Sequence, residues 1–108
     1  MIVLSANGMG RADTPLQQTL IAKYLSLLED VEPPPAALCF YTEGVRLVVE
    51  GSPVLALLRR LESRGVRLIV CKTCLDYLGI TALVRVGTVG GMTDILDAQM
   101  QANKVITL

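Results

Sequence analysis

The 108-residue chain contains no histidine and no tryptophan, and its aromatic residues are three Tyr and one Phe. Without histidine, one chain cannot assemble a Ser-His-Asp triad, an imidazole general base, an HExxH zinc site or a haem ligand. So few aromatic rings also argue against a stacking platform for single-stranded nucleic acid. Ten basic residues balance ten acidic ones, so no overall field selects nucleic acid or an anionic membrane as partner. Chemistry is left to cysteine, lysine, carboxylates, hydroxyls and the backbone.

Long apolar runs are missing too. Nothing approaches the 18 residues of a membrane span, and residues 1–4 lack the basic flank and length of a signal peptide. A cytoplasmic protein is expected, and its three cysteines are too few and too odd in number for a disulfide framework. Apolar residues nevertheless make up 52% of the chain, above the typical share for a soluble domain, while 108 residues offer limited interior. A homo-oligomer is the expected outlet. Charge supports it weakly: residues 1–54 hold six acidic and three basic residues, and residues 55–108 hold four and seven.

Hydrophobic periodicity predicts one domain, residues 1–108, in which strands and helices alternate. Apolar runs at 2–6, 36–41, 66–70, 83–86 and 104–107 read as strands, and residues 45–49 fit neither strand nor helix clearly. Between the strands, Thr14 as N-cap with Pro15 and Gln17 behind it opens a first helix. Three prolines at 33–35 stop it, Ser52 and Pro53 open a second helix, and Gly65 closes that one. A short helix over 75–78 ends at Gly79, and Thr93 caps a last helix reaching Gln101. Such alternation requires crossover connections, so the expected fold is a three-layer α/β/α domain with a mainly parallel five-stranded sheet.

In an open α/β sheet, ligands bind beyond the carboxyl ends of the strands. That rule gathers Asn7, Gly8, Thr42, Glu43, Gly44, Gly91 and Met92 into a strand-end pocket around Cys71 and Cys74. The two cysteines sit two residues apart where the third strand meets a helix, with Lys72 and Thr73 between them. Free helix N–H groups and the Lys72 ammonium would lower a thiol pKa there. Cys39, inside its strand, reads as a small buried hydrophobe. Gly8-Met9-Gly10 fails as a dinucleotide fingerprint because Asp13 stands where the third glycine belongs. Asp13 itself suits a helix start, Glu43 is a candidate site carboxylate and Glu50 a surface charge. Methionines at 92 and 100, at helical spacing, read as core or interface packing.

Three chemistries compete for a cysteine pair of this kind. Zinc needs four ligands, so two cysteines serve only if a second chain supplies the rest, and no metal or other cofactor is expected. Thioredoxin-like exchange lacks the later proline that lies beside the disulfide in that fold, because no proline follows Pro53. The third is persulfide chemistry, in which a cysteine takes a sulfur from a donor and passes it to an acceptor thiol. A different class stays open beside these: a non-catalytic oligomeric binding module whose cysteines are structural.

The segments Phe40-Tyr41, Gly44-Val45, Val49-Glu50-Gly51-Ser52-Pro53-Val54-Leu55, Cys71-Lys72-Thr73-Cys74-Leu75-Asp76-Tyr77, Val86-Gly87 and Lys104-Val105-Ile106-Thr107-Leu108 resemble the DsrE-like family. They are most similar to its sulfurtransferase-like, selenium-metabolism branch, YedF. The chain departs from that branch at Lys72, where glycine is usual, and at Gly91, where asparagine is usual. The resemblance implies a cytoplasmic homo- or hetero-oligomer working in a sulfur relay, and a homo-oligomer, dimer or trimer, is expected here. The resemblance further implies a persulfide on Cys71; on the reading of the residues themselves, Cys74 would resolve or relay it, and Lys72 and Thr73 would stabilise the thiolate. Donor and acceptor would be proteins such as a cysteine desulfurase and a TusA-like protein, with neither nucleic acid nor membrane involved.

Overall fold

The computed structural model describes all residues, 1–108. Five strands, β1 (Ile2–Leu4), β2 (Ala37–Phe40), β3 (Arg67–Cys71), β4 (Thr88–Gly90) and β5 (Ile106–Thr107), form one sheet in the order β4-β3-β2-β1-β5. Every pairing is parallel. Four α-helices connect them: α1 (Thr14–Leu28), α2 (Leu55–Ser63), α3 (Lys72–Leu78) and α4 (Met92–Gln101). From β1 to β4 the chain steps in one direction, and α4 carries it back to β5 on the far side of β1. Right-handed crossovers therefore put α1 to α3 on one face and α4 on the other. This is the three-layer α/β architecture expected from the alternation, with the sheet wholly parallel.

The strands form where the apolar runs are continuous because their neighbours cover both faces. All of β1 and β2 is buried, as is β3 after Arg67. Ile21, Leu25 and Leu28 of α1 and Leu58 and Leu61 of α2 are buried in the same apolar core, and Ile95 is the buried residue of α4. No polar or charged residue is buried. The apolar surplus is not fully absorbed. Met92, Leu96 and Met100, one α4 turn apart, stay 59%, 52% and 77% exposed, so core packing is excluded for both methionines.

Several boundaries differ from the sequence expectation. The fourth strand is Thr88–Gly90, not 83–86. The run at 83–86 begins in a 3-10 turn and continues as a strap: Glu50 donates its N–H to Leu83, Arg85 donates its N–H to Val48, and Val86 is buried. Burial alone cannot separate a packed strap from a strand, and β4, at the sheet edge, needs little apolar content. Residues 45–49 fall mostly within a 3-10 helix, Thr42–Val48. Helix α1 has Asp13 at its N-cap and Thr14 inside, while Gln17 reaches back to donate to the Gly10 carbonyl at 2.7 Å. Helix α4 starts at Met92 rather than after Thr93. Its N-cap is Gly91, whose N–H donates to the Asp94 carboxylate at 2.9 Å.

Candidate functional site

Strand β3 runs into α3 without a loop. Cys71 is the last residue of the strand and the N-cap of the helix, so Lys72, Thr73 and Cys74 are its first three residues. The strand half of this junction belongs to the core: Cys71 is only 1% exposed. The helix half reaches the surface. Cys74 is partly exposed and, with Thr42, Glu43, Thr73, Tyr77 and Leu78, lines a cleft of about 300 Å³. The family resemblance points to Cys71 as the sulfur carrier; the more accessible of the two cysteines is Cys74, because Cys71 is buried in the core.

The opposite wall is built by the chain leaving β2. Thr42 has φ +49°, a left-handed conformation that a β-branched residue rarely adopts. Two anchors hold it there. Its hydroxyl lies 2.6 Å from the Ser5 carbonyl and 2.7 Å from the Tyr41 carbonyl, and the Tyr41 N–H donates to Leu4 at 3.2 Å. Gly44 makes this docking on the end of β1 feasible, since a Cβ at that position would lie 2.0 Å from the Leu4 oxygen. In this conformation the Thr42 N–H donates to the Cys74 sulfur at 3.1 Å.

Burial pushes the Cys74 thiol above its ordinary pKa, the Thr42 N–H pulls it down, and the neighbouring Cys71 thiol raises it again. The net direction is upward, which corrects the depressed pKa expected from the sequence. Lys72 does not supply the expected help. Its ammonium bonds to the Asp76 carboxylate at 2.5 Å, one turn along α3 on the exposed side. That bond, followed by one from the Thr81 hydroxyl, holds Asp76 below the usual carboxylate range. Cys39 is fully buried and burial raises its pKa, as suits a small hydrophobe.

Of the residues expected around the cysteines, the cleft brings together Thr42, Glu43, Thr73 and Cys74, with Gly44 packed behind Thr42. Glu43 is paired with Arg46. The other four are elsewhere. Gly8 is wedged against the backbone of Gln17, Asn7 belongs to a separate groove with Arg46 and Ser52, and Gly91 and Met92 begin α4. Tyr77 and Leu78 are lining residues that the sequence reading did not select. Their spacing of three and four from Cys74 on a helix is the signal that would have found them. No third metal-binding side chain joins the two cysteines.

The family model of the DsrE/DsrF-like family matches residues 1–108. The chain belongs to the DsrE/DsrF-like family. The fold agrees with solved structures. The YchN protein of E. coli is 24% identical at a TM-score of 0.70, the comparison covering 99% of this chain and 97% of that one. A protein of unknown function from Methanobacterium thermoautotrophicum is 19% identical at a TM-score of 0.66 over 99% and 97%. A third, from Bacteroides thetaiotaomicron, is 13% identical at 0.69 over 99% and 93%. No curated protein matches the chain. The DsrE-like family is associated with sulfur relay in general, and no helix here is long and apolar enough to cross a membrane.

Proposed function

We propose that this DsrE/DsrF-like protein carries sulfur as a persulfide on Cys74, in a reducing, cytoplasmic setting, between a donor such as a cysteine desulfurase and an acceptor thiol such as that of a TusA-like protein. The observation that carries the proposal is the partly exposed Cys74 sulfur, set in an open cleft and met by the Thr42 N–H. A thiol of raised pKa is mostly protonated at neutral pH, but its thiolate fraction is the more nucleophilic for it. The Thr42 N–H favours negative charge on that sulfur when the thiolate forms. Tyr77 and Leu78 give the cleft an apolar side against which a donor protein can exclude water.

Intact mass after incubation with a cysteine desulfurase and cysteine tests this. One extra sulfur atom is expected on Cys71→Ala and, early in the incubation, on the wild-type chain, and none on Cys74→Ser. An adduct that survives Cys74→Ser and vanishes in Cys71→Ala would return the role to Cys71. No adduct on any variant would favour the binding module. Selenium is the alternative cargo, and the mass increment tells the two elements apart.

The proposal includes association of the chain with copies of itself, as a dimer or trimer. The exposed stripe of Met92, Leu96 and Met100 on α4 supports this, together with the acidic first half and basic second half of the chain. Leu96→Lys is expected to shift the sedimentation profile to the single chain. A wild-type profile that already corresponds to one chain removes this part.

A further inference from the structure

The two cysteines are neighbours of unequal access, and that inequality defines a second reaction at the same site. Cys71 is the N-cap of α3 and Cys74 its third residue. The Cys71 side chain makes no capping bond to the helix backbone, and it raises the Cys74 thiol pKa as a direct neighbour. Helix geometry sets Cα atoms three residues apart at about 5 Å, inside the Cα separation that a disulfide spans. Cys71 is shielded from every external reagent by the core around it. The one electrophilic sulfur it can meet is the one attached to Cys74.

We infer that Cys71 is an internal resolving thiol, which discharges a persulfide on Cys74 as sulfide and leaves a Cys71–Cys74 disulfide. The step rests on the loading of Cys74 proposed above. The Cys71 sulfur gives up its proton and bonds to the inner sulfur on Cys74, and the bond from that sulfur to the outer one breaks. The outer sulfur leaves with the electron pair as hydrosulfide and takes the released proton. The carried sulfur is thereby reduced by two electrons, and the two cysteine thiols are oxidised to the disulfide. A dithiol reductant restores both thiols. In an acceptor's presence the outer sulfur is transferred; in its absence the internal thiol returns it as sulfide, so the chain does not hold a reactive persulfide indefinitely.

The full-length reduced protein, loaded with inorganic polysulfide and freed of excess reagent, tests the step. The wild-type chain is expected to lose its extra sulfur, release one sulfide and become two hydrogens lighter than the reduced protein, and a dithiol should restore the starting mass. In Cys71→Ala the extra sulfur should persist and sulfide release should slow by at least about tenfold, since the neighbouring thiol acts at high effective concentration. Cys71→Val, apolar and of suitable size for the core, serves the same purpose if Ala destabilises the fold. Peptide mapping of the lighter wild-type species should find Cys71 joined to Cys74. Wild-type and Cys71 variants that hold the added sulfur equally long would overturn the inference and leave the carrier intact. Failure of every variant to take up sulfur would overturn the carrier itself.

Discussion

The larger groove on this molecule is not the one that holds its partly exposed cysteine. A groove of about 420 Å³ runs along the sheet edge between the end of α2, β3, β4 and the start of α4, against about 300 Å³ for the Cys74 cleft. Its two carboxylates are already engaged with backbone: Glu62 accepts the Gly87 N–H at 3.1 Å, and Asp94 accepts the Gly91 N–H at 2.9 Å. They hold the turns on either side of β4. The smaller cleft has the opposite character, with a nucleophilic sulfur that is reachable and a strained backbone N–H directed at it. Volume measures where helices fail to meet over a sheet; function is better read from which groups are left free to react.

That contrast is sharpest at Thr42. Thr42→Val keeps the shape of the side chain but removes the hydroxyl that ties the left-handed turn to Ser5. The backbone is then expected to relax and turn its N–H away from Cys74, leaving burial and Cys71 unopposed. Haloacetamide alkylation of Cys74 should slow about fivefold at neutral pH, the equivalent of about 1 kcal/mol for one hydrogen bond. Its pH midpoint, already above the ordinary thiol value in the wild type, should move higher. Thr42→Ser, which keeps the hydroxyl, should restore both. In the same titration Lys72→Gln should change nothing, because that ammonium is committed to Asp76. A Thr42→Val profile that overlays the wild type would return the loop to a purely structural role, and a shifted Lys72→Gln profile would restore the lysine to the site.

How far the sequence shows this depends on which physical signal each part leaves. The three central strands are legible because burial on both faces produces unbroken apolar runs, and the α/β order follows from their alternation with helical spacing. β4 is hidden, since an edge strand of Thr88, Val89 and Gly90 has no such run, while the neighbouring strap at 83–86 imitates one. The cysteine pair is visible as spacing, but its division of labour is not. Which of two residues three apart faces core or solvent is settled by where β3 ends and α3 begins, a point the spacing alone does not mark. Thr42 is the least legible part. Nothing in Tyr41-Thr42-Glu43 announces a positive φ, because the conformation is imposed from outside, by Gly44 seating on Leu4 and the hydroxyl on Ser5.

The edge groove offers the complementary test, with a smaller effect on a different observable. Asp94→Ala leaves the Gly91 N–H at the start of α4 without its carboxylate partner. Loss of such a helix-start contact costs about 1 kcal/mol, so the melting temperature should fall by a few degrees for a domain of this size. Sulfur uptake by Cys74, measured by intact mass well below the melting point, should be unaffected, because no residue of that groove lines the cleft. The reverse pattern, uptake lost with the melting temperature unchanged, would make the larger groove part of the reaction and end the distinction between a structural and a chemical cavity. Stability lost without chemistry would fix Asp94 as a residue that shapes the sheet edge, leaving Cys74 and Thr42 to define the site.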